Sequence, residues 1–255
     1  MNKRKTVMGR LHARTAIVTG AGSGIGRAIA LAFAEEEADL VVNDINRQKS
    51  ERVAAECRRL GSEALAVKAD VSSEPEVARM IKATVRRLGR VDILVNNAGI
   101  INKPYPLMDL SSEEWDRIMA VNLKGAYLCS KHVLPVMLKQ KCGRIINIAS
   151  QLGQRGERSL VAYSTSKGGI IAFTKALARE MAPYINVNAI APGPIDTPLL
   201  RTISKKALKG IVKRIPLARV GTPEEVAYTA VFLASNESRY YTGQTLGPNG
   251  GDVML

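Results

Sequence analysis

Tyr163 and Lys167 stand four residues apart in Val161-Ala162-Tyr163-Ser164-Thr165-Ser166-Lys167. On a helix that spacing puts both side chains on one face. A phenol with a pKa of about 10 is a poor base at neutral pH, and a neighbouring ammonium favours its phenolate. Moving that pKa to about 7 takes roughly 4 kcal/mol of differential stabilisation. Seven tyrosines in the chain make such a pair a weak signal by itself. Ser150 strengthens it, because it closes the run Ile145-Ile146-Asn147-Ile148-Ala149-Ser150, thirteen residues before Tyr163. A hydroxyl there can hold a reacting carbonyl or alcohol oxygen. Asn122, in Ala120-Val121-Asn122-Leu123-Lys124-Gly125, is a polar amide inside a long predicted helix, where asparagine is a poor choice. It reads as a buried amide satisfying backbone or as part of the chemistry, and both can hold together.

A second group of residues points to a phosphate-bearing cofactor. Thr19-Gly20-Ala21-Gly22-Ser23-Gly24-Ile25-Gly26 follows a strand-like run and opens a helix. Glycines allow a turn with positive φ and let backbone approach a pyrophosphate at the positive helix N-terminus. The pattern is G-x-x-x-G-x-G, and its place between first strand and first helix gives it weight. Asp44 ends the second strand some twenty residues on, where a carboxylate accepts from adenosine ribose hydroxyls and repels a 2′-phosphate. Ser23 occupies a position where arginine would favour that phosphate, and Arg47 reads as a solvated residue of a helix's first turn. The expectation is NAD over NADP. Asp70, followed by Val71, is placed to meet the adenine or to cap a helix.

The elements that must position these groups follow from periodicity. Short β-branched runs at Thr15–Val18, Leu40–Asn43, Ala64–Val67, Val91–Val95, Arg144–Ile148, Asn186–Ile190 and Gln244–Leu246 alternate with amphipathic stretches. Ile25, Ile29 and Phe33, then Val77, Ile81, Val85 and Leu88, recur at helical spacing. This alternation predicts an α/β fold: one doubly wound parallel sheet with helices on both faces and ligands at the carboxyl ends of the strands. No linker or repeat divides residues 1–255, so one domain is expected. Residues 197–222 interrupt the alternation between the sixth strand and its helix and read as a substrate lid.

Composition narrows the classes. No apolar run approaches the roughly 20 residues that span a bilayer, and the basic opening lacks the apolar core of a secretory signal. Cys57, Cys129 and Cys142 form no C-x-x-C pair and, with only His12 and His132, offer no metal set. A reducing, cytoplasmic home is the expectation. Lys+Arg 37 against Asp+Glu 23 leaves a net charge of +14. Arg201, Lys205, Lys206, Lys209, Lys213, Arg214 and Arg219 crowd the lid, and Arg155 and Arg158 follow Ser150. They suggest either a solvated cationic face or steering of an anionic substrate. Nucleic acid is disfavoured, since the cations are not interleaved with aromatics and no helix-turn-helix pattern appears. An inactive cofactor-binding scaffold is disfavoured by the intact catalytic residues.

Taken together, Thr19–Gly26, Asn96-Asn97-Ala98-Gly99, Asn122, Ser150, Tyr163/Lys167 and Pro192-Gly193 resemble, in order and spacing, the short-chain dehydrogenase/reductase family from about Leu11 to Gly251. The resemblance implies a seven-stranded Rossmann sheet, no metal and an Asn–Ser–Tyr–Lys tetrad. Tyr163 would be general acid/base and Ser150 the holder of the substrate oxygen. Lys167 would hold the nicotinamide ribose and tune the tyrosine, and Asn122 would position a water in a proton relay. Gly20, Ser23, Gly24, Ile25, Gly26, Asp44, Asp70, Val71, Asn97, Ala98 and Gly99 would flank the cofactor, and Pro192, Gly193, Ile195 and Thr197 would border its nicotinamide. Hydride would pass between NAD(H) and a secondary alcohol or ketone. The likeness is broadest to polyol dehydrogenase and 3-oxoacyl-carrier-protein reductase types, the latter usually NADPH-dependent, and implies a homotetramer or homodimer. One departure stands out: Leu246-Gly247-Pro248-Asn249-Gly250-Gly251 replaces the usual hydrophobic–acidic pair before the final glycines. Pro248 lacks a donor, so the last strand must end early or lie at an edge.

Overall fold

The computed structural model describes residues 8–198, 200–202 and 204–255. Seven strands form one sheet: β1 (Thr15–Val18), β2 (Asp39–Asp44), β3 (Ala64–Lys68), β4 (Ile93–Asn96), β5 (Gly143–Ile148), β6 (Ile185–Ile190) and β7 (Thr245–Leu246). Their order is β3-β2-β1-β4-β5-β6-β7, with every pairing parallel. Between them lie α1 (Gly24–Glu35), α2 (Arg47–Arg59), α3 (Glu74–Leu88), α4 (Ser112–Met119), α5 (Gly125–Gln140), α6 (Gln151–Arg155), α7 (Val161–Met181), α8 (Lys205–Val212) and α9 (Pro223–Ala234). The expected strands are all present, and β7 is a two-residue edge strand that stops before Pro248, as a residue without a donor requires.

Strand period sorts the core into two layers. Ala16, Val18, Leu40, Val42, Ile93 and Val95 pack with α1, α2 and α9 on one face. Ile17, Val41, Leu94, Ile145 and Val187 pack with α3, α5 and α7 on the other. A sheet covered on both sides needs apolar residues at successive strand positions, which is why these runs read as continuous rather than alternating. The strand order reverses between β1 and β4, so the crevice at their carboxyl ends lies where the glycine turn and Asn97 meet.

One expected element differs. The long helix predicted around Asn122 is α4 and α5 joined by a π-helical turn at Ala120–Lys124. Such a turn inserts a residue into the helix and often marks a functional position; here it carries Asn122. Asp70 does not cap α3; Ser73 is the residue at that helix's N-cap. Asp70 instead closes the preceding turn, its Oδ1 accepting from Ser72 N at 2.9 Å and Ser72 Oγ at 2.7 Å.

The segment 197–222 is anchored at its exit by α9. Thr222 Oγ1 accepts from Glu225 N, and Glu225 Oε2 accepts from Thr222 N at 2.8 Å, a reciprocal cap with Pro223 in the first turn. Arg219, followed by the Thr222 backbone donor, holds the Glu225 carboxyl down at about 2. Thr222→Ala should cost about 1 kcal/mol, read as a fall of about 2–4 °C in thermal melting.

Candidate active site

Lys167 is 4% exposed, and its ammonium donates to Ile148 O, the last carbonyl of β5, at 2.7 Å. That carbonyl is a sheet-end acceptor no longer used by the ladder, so the end of the strand sets where the lysine head sits. One turn earlier on α7, the Tyr163 ring centroid lies 5.9 Å from Lys167 Nζ. Ser150 sits just past β5 as N-cap of α6, its Oγ accepting from Leu152 N at 3.1 Å. Burial pushes the Tyr163 phenol above its ordinary value, and a bond from the Ser150 side chain opposes the shift. Burial also lowers Lys167 to about 8. The phenol therefore holds its proton at neutral pH, and the lysine loses its charge progressively as pH rises through about 8.

Asn122 arrives from the far side of α7. Its Oδ1 accepts from Ile100 N at 2.8 Å, and its Nδ2 donates to Ile100 O at 2.9 Å and Ser166 Oγ at 3.0 Å. The amide thus clamps the strand-to-loop exit after β4. Gly99 lies where these groups converge: a Cβ there would stand 3.3 Å from Asn122 Oδ1 and 3.4 Å from Lys167 Nζ. The structure brings Asn122, Ser150, Tyr163, Lys167 and Gly99 to one place.

The glycine turn is built against β4. Thr19 Oγ1 accepts from the backbone of Asn97 at 3.0 Å and Ala98 at 3.1 Å. Asn97 Nδ2 donates back to the carbonyls of Thr19 at 2.8 Å and Gly20 at 3.1 Å. Gly20 has φ 62°, and a Cβ on it would stand 2.8 Å from Ala98 Cα. Gly26 leaves no room for a side chain beside the Asn97 amide and the Gly20 carbonyl. Ser23 is the α1 N-cap and spends no side-chain bond there, which leaves the first-turn N–H groups of Gly24, Ile25 and Gly26 without helical partners. Asp44 accepts from Gly22 N at 3.0 Å and Asn46 N at 2.8 Å, which fixes its carboxylate beside the turn with lone pairs to spare. Arg47 is exposed and paired with Glu51 at 2.7 Å.

The remaining expected residues border the same crevice or support it. Val71 is buried with its side chain against Gly125 at the π turn. Pro192 O receives Gln151 N at 3.1 Å, and Gly193 packs on the backbone of Asn249. Ile195 is buried in a parallel bridge with Gly221. The Thr197 methyl would lie 3.4 Å from a Cβ on Gly24, which brings the start of the segment 197–222 to the α1 N-terminus. Sequence reasoning missed Thr19, Ser166 and the Ile148 carbonyl. Thr19 was legible as a hydroxyl next to the glycines. Ser166 Oγ, which donates to Tyr163 O at 2.7 Å and receives Asn122, had no signal beyond its helix position, and a backbone carbonyl has none. The cations of residues 197–222 are partly neutralised: Arg201 pairs with Asp196 at 2.9 Å, Arg219 with Glu225 at 2.6 Å, and Arg214 lies 3.8 Å from Glu157. Lys205, Lys206, Lys209 and Lys213 are exposed.

A switch-point crevice with a glycine turn on one wall and a serine, tyrosine and lysine on the other defines the short-chain dehydrogenase/reductases, and the chain belongs to that family. It is an oxidoreductase acting on a CH–OH or keto group with a nicotinamide cofactor. A family model described as enoyl-(acyl carrier protein) reductase matches residues 20–252. Curated relatives named 3-oxoacyl-[acyl-carrier-protein] reductase include one from Thermotoga maritima, 40% identical over 96% of this chain and 100% of that protein. Another, from Synechocystis, is 44% identical over 97% of this chain and all of the relative. Among solved structures, a levodione reductase superposes with TM-score 0.92 at 34% identity, covering 94% of this chain and 98% of the other.

A dinucleotide fits the cleft: the glycine cradle admits backbone approach, Asp44 offers acceptors for hydroxyls, and Gly99 keeps open the space beside Lys167 and Asn122. Asn97→Ala should free both turn carbonyls and raise the dinucleotide Kd about tenfold or more, measured by fluorescence titration, with far-ultraviolet circular dichroism unchanged.

Proposed function

We propose that the protein is an NAD(H)-preferring dehydrogenase/reductase that interconverts a secondary alcohol and a ketone. The observation that carries this is the convergence of the Ser150 hydroxyl, the Tyr163 phenol and the Lys167 ammonium beside Gly99. In reduction Tyr163 gives its proton to the substrate oxygen, and in oxidation it takes that proton back. Ser150 donates a hydrogen bond to the same oxygen and holds it in line with the phenol. Lys167, held by Ile148 O, keeps a positive charge near the phenol at neutral pH and would hold the ribose of a bound nicotinamide. Asn122 fixes the loop at Ile100 and supports the proton path. The bound nicotinamide supplies or accepts the hydride. Residues 197–222 form the lid of a single domain spanning 1–255, supported by the contact of Thr197 with the α1 N-terminus.

Asp44 supports NAD over NADP, because a 2′-phosphate would meet its carboxylate and no arginine replaces Ser23. A carrier-bound 3-oxoacyl substrate, the one the relatives' names state, is the second reading. The four exposed lysines of the lid favour it, as they favour any anionic substrate, while Asp44 disfavours an NADPH-dependent version. For assembly, the apolar face formed by Met119, Leu123, Tyr127 and Phe173 supports a homotetramer or homodimer. The free state of Cys57, Cys129 and Cys142 supports a reducing, cytoplasmic setting. No helix among the described residues is long and apolar enough to cross a membrane.

The test is a panel of alcohols and ketones screened with NAD and NADP, followed by absorbance of the reduced nicotinamide. Tyr163→Phe should lower kcat by about 10²–10⁴-fold with the fold retained; full turnover in that variant would end the mechanism. The pH profile follows from Lys167. Its useful form is protonated and is lost as pH rises through about 8. For ketone reduction, kcat/KM should be level below that value and fall about tenfold per unit above it. Asp44→Ser should shift the NAD/NADP preference toward NADP by about tenfold or more, since it removes a like charge from the phosphate.

A further inference from the structure

The run Pro248-Asn249-Gly250-Gly251-Asp252, which departs from the family's usual ending, folds into a hook. Asn249 Oδ1 accepts from Gly251 N at 2.8 Å and its Nδ2 donates to Val253 O at 2.8 Å. Gly250 and Gly251 take φ of 69° and 89°, a conformation open to glycine. The hook is tied to the sheet end by Gly193 N donating to Pro248 O at 3.1 Å, and to the lid by Leu217 N donating to Gly250 O at 3.1 Å. Its product is the placement of one carboxylate: Asp252, with a side chain 6% exposed, accepts from Gln151 Nε2 at 2.5 Å. Gln151 is 3% exposed and directly follows Ser150. A carboxylate can only accept, so it fixes which end of the Gln151 amide faces it. Arg155, 3.9 Å from Asp252, is engaged by Glu157 at 2.7 Å.

What this contact controls is α6. A helix of five residues cannot hold itself together by its own hydrogen bonds, so its position is set by neighbours. On one side Gly153 lies flush against the Lys167 carbonyl. On the other the clamps are Gln151 N to Pro192 O and the Gln151 side chain to Asp252. The Ser150 hydroxyl is the cap of this same helix, so a shift of α6 displaces it.

We infer that Asp252 is a positioning residue: through Gln151 it holds the first turn of α6 and so fixes the Ser150 hydroxyl against Tyr163. The inference rests on the reading that Ser150 holds the reacting oxygen. A displacement on the order of 1 Å at such a group is worth about 100-fold in rate, so Asp252→Ala should lower kcat by about 10- to 100-fold while the NAD Kd from fluorescence stays unchanged. Asp252→Asn keeps an acceptor for Gln151 and should turn over close to the parent enzyme. Gln151→Glu, which sets two carboxylates face to face, should be impaired. Combining it with Asp252→Asn reverses the direction of the same hydrogen bond and should restore kcat. In a Ser150→Ala background, Asp252→Ala should cost nothing further, since the group it positions is gone.

These rates are measured with NAD and the secondary alcohol turned over fastest. Three results would overturn the assignment: parental kcat in Asp252→Ala, Asp252→Asn as poor as Asp252→Ala, or independent losses in the Ser150→Ala background. Should Asp252→Ala not fold, the exchanged pair decides: kcat above that of Gln151→Glu alone upholds the strap, and no recovery overturns it. A Ser150→Ala enzyme with full turnover overturns the catalytic reading itself, whereas a crippled Ser150→Ala beside a silent Asp252→Ala overturns the strap alone.

Discussion

The architecture depends on the lock between the carboxyl ends of β1 and β4. Thr19 and Asn97 exchange hydrogen bonds across the point where the strand order reverses, hydroxyl to two amides in one direction and amide to two carbonyls in the other. A parallel sheet leaves its terminal carbonyls and amides without ladder partners at this point, and each unpaired buried group costs about 1–3 kcal/mol. Side chains satisfy several of them here. The same four bonds hold the two strand ends together and set the shape of the glycine turn.

The second constraint is the burial of a lysine without a carboxylate. Lys167 has a backbone carbonyl as its partner, and desolvation lowers it to about 8. An ion pair would have fixed the charge more firmly but would have screened it from Tyr163. The carbonyl orients the ammonium and leaves it 5.9 Å from the centroid of the Tyr163 ring. The stability sacrificed in burying the charge is the physical counterpart of the site's chemistry. The two-layer core around the sheet, with helices on both faces, makes that sacrifice tolerable.

Much of this was legible without coordinates. The strand runs, the crossover pattern and the glycine turn are local signals, because backbone preference and apolar period act over a few residues. The pairing of Tyr163 with Lys167 was legible from helical spacing. Other features were not. The π turn at Asn122 arises where a buried amide must meet the Ile100 backbone, a demand set by the loop after β4 rather than by the helix sequence. Asp70 is a turn acceptor rather than a cap because its carboxylate is taken up by the Ser72 amide and hydroxyl two residues on, which spacing alone does not reveal. The partial neutralisation of residues 197–222 became visible only when Asp196, Glu225 and Glu157, distant from the segment or flanking it in sequence, were seen against Arg201, Arg219 and Arg214.

The amino-acid order by itself determined the strand runs, most of the helices and the glycine turn, because each rests on residue type at short separation. Tertiary structure alone decided which carbonyl receives Lys167, how Asn122 is satisfied, and that a carboxylate more than one hundred residues away, Asp252, reaches Gln151 beside Ser150. Contacts of that kind depend on the sheet's strand order and on the volume each side chain fills, quantities that exist only once the chain has closed on itself.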